Sequence, residues 1–204
     1  INQVQVNNKA GMTFAAALRS ILRADPDVVL IGEIRDQETA NIAIEASLTG
    51  HLVLSTLHTN DAPSAVTRLT EMGVEPFLLS SSLAAVMAQR LARRLCKKCK
   101  RQDTAPEAEL RTLGVPHMPD TPLPTIWRPV GCRECANTGY SGRVAIQQVM
   151  GVDSTMEDLI ARGATSIDID KAAKEQGMTT LRKDGWQKAL QGITSVEEVL
   201  RVTV

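Results

Sequence analysis

The chain has 204 residues, of which 43% are hydrophobic, 23% charged and 2% aromatic, with 23 basic residues balancing 23 acidic ones. That length holds one moderate domain plus smaller pieces, and the balanced charge supplies no bulk attraction to nucleic acid. No apolar run approaches the roughly 20 residues of a bilayer-spanning helix, and no signal peptide opens the chain, so membrane contact is expected only through partners or from the surface.

So few aromatic residues leave a core of Ala, Val, Leu, Ile and Met, as suits helices stacked on a parallel sheet. Asn2 to Asn7 alternates polar and apolar residues, which predicts a half-exposed strand. Thr13 caps a predicted helix with Phe14, Leu18, Ile21 and Leu22 on one face, and Asp25-Pro26-Asp27 breaks it. Val28 to Ile31 is a short β-branched run, predicted as a strand buried on both faces. A helix over Asp36–Leu48 closes at Gly50, and Leu52 to Leu57 forms a second buried strand. Asn60 or Asp61 starts another helix, with Pro63 in its first turn and Gly73 at its end. Residues 77–95 read as one long amphipathic helix. Residues 1–95 thus alternate strand and helix, the pattern of an α/β domain with a mainly parallel sheet. Residues 96–142 carry six of the nine prolines and read as loop with one helix near 106–113. From Arg143 the pattern is a strand, then helices near 154–162, 168–175, 179–191 and 195–201, a small C-terminal bundle.

The segment Pro26-Asp-Val-Val-Leu-Ile-Gly-Glu-Ile-Arg-Asp-Gln-Glu-Thr39 places a carboxylate, Glu33, at the end of an apolar strand. Ligands bind at the carboxyl ends of strands in open α/β sheets, and phosphoryl transfer needs a group there to orient water or support Mg²⁺. This is the form of a Walker B element. Gly32 departs from it, since many such strands place Asp there. The structural alternative is a strand-end Glu paired with Arg35. The partner motif G-x-x-x-x-G-K-[ST] occurs nowhere in the chain, so the sequence reads as the C-terminal part of a larger ATPase. His51 and His58 flank the second strand. His58 falls near the level expected for Glu33 if the two strands are neighbours, where a neutral imidazole can donate to a γ-phosphate. His51 is expected at the opposite edge. For either His a structural hydrogen bond is the alternative.

Four cysteines form two C-x-x-C pairs, Cys96/Cys99 and Cys132/Cys135. Each pair puts two thiolates on one tight turn, and two turns complete a tetrahedral site for Zn²⁺. The 32 residues between Cys99 and Cys132 require a sizeable loop between the knuckles. Redox dithiols, free thiols and an iron–sulfur cluster are the alternatives. His117 lies within the loop and reads as solvated. Arg90, Arg93, Arg94, Lys97, Lys98, Lys100 and Arg101 surround the first knuckle without an acid among residues 90–102. This run is either a solvated face or a docking patch for an acidic surface or anionic lipid. No nucleic acid is expected there, because stacking aromatics are missing.

The opening Asn2–Asn7, the Arg23-x-Asp-Pro-Asp…Gly-Glu-Ile-Arg-Asp…Glu-Thr segment and Gly50-His-Leu-Val-Leu-Ser-Thr-Leu-His-Thr-Asn-Asp61 closely resemble the secretion ATPase superfamily. Within it the chain is most similar to the type II secretion motors of the GspE family and next to the type IV pilus motors of the PilB family. The resemblance spans nearly all of the chain. It implies a RecA-like P-loop NTPase fold and a homo-hexamer, cytoplasmic and peripheral on the inner membrane of a bacterium. It further implies hydrolysis of ATP with Mg²⁺ to drive pseudopilus or pilus assembly through inner-membrane platform proteins. By that resemblance Glu33 acts on the attacking water, His58 faces the γ-phosphate and His51 supports the box. Arg23 and Arg35 match charged family positions and are candidate nucleotide contacts. A tetracysteine zinc subdomain belongs at Cys96, Cys99, Cys132 and Cys135. The implied division is a RecA-like part over 1–95, the metal subdomain over 96–142 and a mainly helical part over 143–204. The family's Walker A loop and Asp box would lie upstream, so this fragment alone is expected to bind nucleotide weakly. Thr138-Gly-Tyr-Ser-Gly-Arg143 continues the family pattern, whereas Ala145, Gln147 and Gln148 depart from it. Two other readings stand beside this one: a nucleotide-independent, zinc-stabilised interaction module, and a DNA-uptake or retraction motor, which the tetracysteine insert disfavours.

Overall fold

The computed structural model describes residues 5–118 and 120–203. Residues 2–4 of the expected opening strand lie outside that range. Gln5 and Val6 are irregular, and Asn7 makes an isolated antiparallel bridge to Met12. The chain forms two compact units: residues through Val86 with Met150–Gln176, and Met87–Val149 with the residues from Gly177 on.

In the first unit, α1 (Phe14–Leu22) starts where the Thr13 hydroxyl accepts the Ala16 amide at 3.1 Å. The strand β1 (Val28–Ile31), the helix α2 (Gln37–Leu48) and the strand β2 (Leu52–Ser55) form a βαβ unit. The strands pair in parallel, with Val28 opposite Leu52 and Ile31 opposite Ser55. Asp36 caps α2 by accepting the Thr39 amide at 2.8 Å, and Gly50 turns the chain at φ 104°. These strands are not covered on both faces as their composition suggested. Val29 and Ile31 are buried, but Val28 is 55% and Leu30 73% exposed. An apolar run reads alike with one face covered or two, and here α1 and β1 leave a groove lined by Phe14, Ile21, Val28 and Leu30.

Pro63 occupies the first turn of α3 (Pro63–Glu71), as expected, and the Asp61 carboxylate accepts the Ser64 amide. The next stretch overturns the single long helix expected over 77–95. Instead, α4 (Pro76–Ser82) is short and the strand β3 (Ala85–Leu95) follows it. The run Ala-Val-Met-Ala-Gln-Arg-Leu-Ala-Arg-Arg-Leu is rich in good helix formers, yet it pairs with the strand β6 (Tyr140–Gly151). Tertiary pairing outweighs local propensity there. Most of β3 and β6 belongs to the second unit, and the helices α6 (Ser154–Ala161) and α7 (Ser166–Glu175) complete the first, α6 against α4 and α7 against α3.

The second unit holds the strands β4 (Arg101–Thr104) and β5 (Thr125–Arg128), an antiparallel pair enclosing the expected helix, α5 (Glu107–Leu113). The helices α8 (Leu181–Leu190) and α9 (Val196–Val202) pack together. Their core joins Ala92, Leu110, Ile126, Ile146, Trp186 and Val199.

Candidate functional site

Glu33 sits just past the end of β1. The Arg35 guanidinium contacts its Oε1, and the His58 Nε2 lies 3.4 Å from its Oε2. The juxtaposition expected if the two strands were neighbours is therefore present: β1 ends on the carboxylate, and the loop after β2 brings the imidazole to it. Arg35 foremost, and His58 with it, hold the Glu33 carboxyl below its ordinary value of 4.5. The Glu33 side chain is 31% exposed and the His58 ring 93% exposed, so the carboxylate is anchored while the imidazole projects into solvent. An ionised carboxylate can accept a proton or a hydrogen bond from water, and an imidazole N–H can donate to an anion.

Thr56, absent from the sequence-based candidates, binds the backbone on both sides of Glu33. Its hydroxyl donates to the Gly32 carbonyl at 2.6 Å, and its own carbonyl accepts the Ile34 amide at 3.0 Å. The only signal in the sequence is a hydroxyl residue two positions before His58. His51 lies at the other end of β2, its Nδ1 within 3.0 Å of the Ala46 carbonyl and 3.2 Å of the Thr49 hydroxyl at the end of α2. Arg23 lines a groove with His51, Arg19 and Glu45. The structure thus gathers Glu33, Arg35 and His58 at one end of the strands and Arg23 with His51 at the other.

In the second unit, the Sγ atoms of Cys96, Cys99, Cys132 and Cys135 all lie within 4.8 Å of one another. Cys96 to Cys132 and Cys99 to Cys135 are 3.9 Å apart, and Cys132 to Cys135 is 3.8 Å. A tetrahedral metal with bonds of about 2.3 Å separates its sulfurs by about 3.8 Å, so the arrangement fits Zn²⁺. Three backbone amides donate to the sulfurs: Gly131 to Cys99 at 3.3 Å, and Cys132 and Gly139 to Cys135 at 3.2 Å each. Such donors steady thiolates bound to metal. Burial pushes the Cys135 thiol up, but the Cys132 and Gly139 amides outweigh it and bring it down to about 6. Burial raises Cys132 to about 11. Gly131 has φ +115°, and a Cβ there would meet the Asn137 carbonyl at 2.8 Å, so the second knuckle needs glycine at that point. His117 stands outside the cluster, with its Nδ1 3.3 Å from the Thr121 hydroxyl.

The basic run divides. The Arg93 guanidinium stacks on Tyr140 and bonds Glu198, and the Lys100 ammonium donates to the Gly192 carbonyl at 2.7 Å over the Trp127 ring. Arg94, Lys97, Lys98 and Arg101 are exposed.

Residues 1–201 match the family described as "Type II/IV secretion system protein". The chain belongs to that family, as the resemblance of its Arg23–Thr39 and Gly50–Asp61 segments implied. It is 55% identical over 203 residues to type II secretion system protein E of Pseudomonas aeruginosa, covering 100% of this chain and 40% of that protein. It is 52% identical over 204 residues to the type IV pilus assembly ATPase PilB of Thermus thermophilus, covering 100% of this chain and 23% of that one. The chain therefore spans less than half the length of these relatives. Among solved structures, its fold matches the pilus retraction motor PilT with bound ADP at a TM-score of 0.66 and 24% identity, covering 98% of this chain and 46% of that one. It matches the ATPase DotB of Yersinia pseudotuberculosis at a TM-score of 0.67 and 19% identity, covering 100% and 43%.

Proposed function

We propose that this chain is part of an ATP-hydrolysing motor that powers assembly of the type II secretion pseudopilus. Glu33 is its hydrolytic carboxylate and His58 the residue that faces the γ-phosphate. The observation that carries the reading is the meeting of Glu33 and His58 across two parallel strands, in a chain half identical to named secretion and pilus proteins. Held ionised by Arg35, Glu33 accepts a hydrogen bond from the attacking water. The exposed His58 donates to the terminal phosphate and loses that partner on hydrolysis. Bound Mg²⁺ would neutralise phosphate charge as it develops. Arg35 supplies a cation beside the nucleotide, whereas Arg23 and His51, gathered at the far end of the strands, stand away from it.

Zn²⁺ on Cys96, Cys99, Cys132 and Cys135 is a structural ion in this proposal, with all four positions filled by protein. The functional parts are the RecA-like part over 1–95, the metal subdomain over 96–142 and the helical part over 143–204. The motor works as a homo-hexamer in the cytoplasm, docked on inner-membrane platform proteins. Among the described residues no helix is long and apolar enough to cross a membrane, in keeping with peripheral attachment. Type IV pilus assembly is the second reading, supported by 52% identity to PilB of Myxococcus xanthus over 98% of this chain.

The test is ATP hydrolysis with Mg²⁺ by the full-length gene product and its Glu33→Gln variant. The variant is expected to fold normally and lose at least about a hundredfold in kcat, the scale of a lost general base. Hydrolysis at the parental rate in that variant would remove Glu33 from the chemistry.

A further inference from the structure

We propose that Thr56 is a positioning residue for hydrolysis, which holds the backbone on both sides of Glu33 so that its carboxylate points toward His58. The inference rests on the hydrolytic role proposed for Glu33. The parallel register, Ile31 opposite Ser55, would in a regular continuation bring the Glu33 amide to the Thr56 carbonyl. The Ile34 amide takes that carbonyl instead, at 3.0 Å. The ladder thus slips by one residue at Glu33, as at a bulge that re-aims a side chain beside a functional site. Where the ladder slips, the Gly32 carbonyl faces Thr56, whose hydroxyl donates to it at 2.6 Å.

One residue therefore fixes the peptide before Glu33 with its side chain and the peptide after it with its backbone. With the backbone held this way, the carboxylate presents Oε2 to His58 at 3.4 Å while Oε1 meets Arg35. Thr56 acts on the carboxylate through the Gly32 carbonyl and the Ile34 amide. Two alternatives to Thr test this. Val keeps the branched shape and loses the donor, and Ser keeps the donor and loses the methyl.

The experiment compares the full-length gene product with its Thr56→Val, Thr56→Ser and Glu33→Gln variants, measuring kcat, the KM for ATP and thermal unfolding. Thr56→Val is expected to lower kcat about tenfold with KM changed by no more than about twofold, since small misplacements of a catalytic group act on kcat. Thr56→Ser is expected to restore most of that loss, and the melting temperature of both should stay near the parental one. A parental kcat in Thr56→Val beside an inactive Glu33→Gln overturns the positioning role and leaves Glu33 standing. A raised KM with unchanged kcat overturns it too, because Thr56 would then serve nucleotide binding. Equal losses in the Val and Ser variants remove the hydroxyl from the account. An active Glu33→Gln variant overturns the hydrolytic reading itself, and this inference with it.

Discussion

At the scale of single residues, the two carboxylates of consequence are both held ionised by arginine, in different surroundings. Glu33 is part-exposed and leans on Arg35. Replacing Arg35 by Ala should return its carboxyl toward 4.5, the ordinary value, in a ¹³C NMR titration of the chain. No change in the titration would mean that Arg35 does not set the charge of this site. Glu198 is 1% exposed and accepts five N–H groups, three from Arg93 including its amide and two from Arg201, at 2.7–2.9 Å. Burial alone would raise its carboxyl, but the bonds from Arg201 and Arg93 hold it at about 2. A carboxyl with its folded value depressed stabilises fully above the unfolded value and loses that contribution as pH falls through the folded one. Acid should therefore weaken the second unit between about pH 4.5 and pH 2. Glu198→Gln should remove that acid sensitivity and destabilise the chain at neutral pH by about 1.5–3 kcal/mol, because the Arg93 amide and two half-exposed arginines lose the carboxylate they share. Chemical denaturation across pH measures both effects. The sequence marks Glu33 by the strand before it, but Glu198 stands 105 positions from Arg93 and nothing local marks that pair.

At the scale of elements, most starts and stops were legible because they are written in local chemistry. Thr13, Asp36, Asp153 and Thr165 each cap a helix through a side-chain oxygen. The exception is β3. Its buried residues are Ala88, Ala92 and Leu95, a four-then-three spacing that marks one face of a helix, whereas in a strand it puts Leu95 on the face opposite Ala88 and Ala92. Only pairing with β6 decides between them. Gly185, inside α8, shows the same dependence on a partner. A Cβ there would meet Val199 Cγ1 at 2.7 Å and Ile146 Cδ1 at 3.1 Å, so the missing side chain lets α9 approach α8. Gly185→Leu should overpack that contact and destabilise by about 1–3 kcal/mol, read as a lowered midpoint in denaturant. The tetracysteine centre behaves oppositely, since each C-x-x-C specifies its own turn.

At the scale of the whole molecule, a metal held by the four cysteines would close a loop of more than thirty residues inside the second unit. The ion's binding energy would add to the packing of Ala105, Leu110, Leu113 and Ile126 in ordering that loop. Treatment with a strong chelator should therefore release one Zn²⁺ per chain and speed amide exchange in 87–149 and 177–203. Residues 5–86 and 150–176 should exchange as before. Uniform exchange across the chain after metal loss would show that the centre does not act within its own unit. The βαβ order, the helix caps, the Cys₄ set and the family could be read from the chain alone, because each depends on residue type at short, fixed spacing. The strand at Ala85–Leu95, the Arg93–Glu198–Arg201 cluster and the grip of Thr56 on the backbone around Glu33 depend on tertiary structure. Each of these joins segments by hydrogen bonds or packing between residues that no local pattern connects, and such energies exist only once the chain has folded.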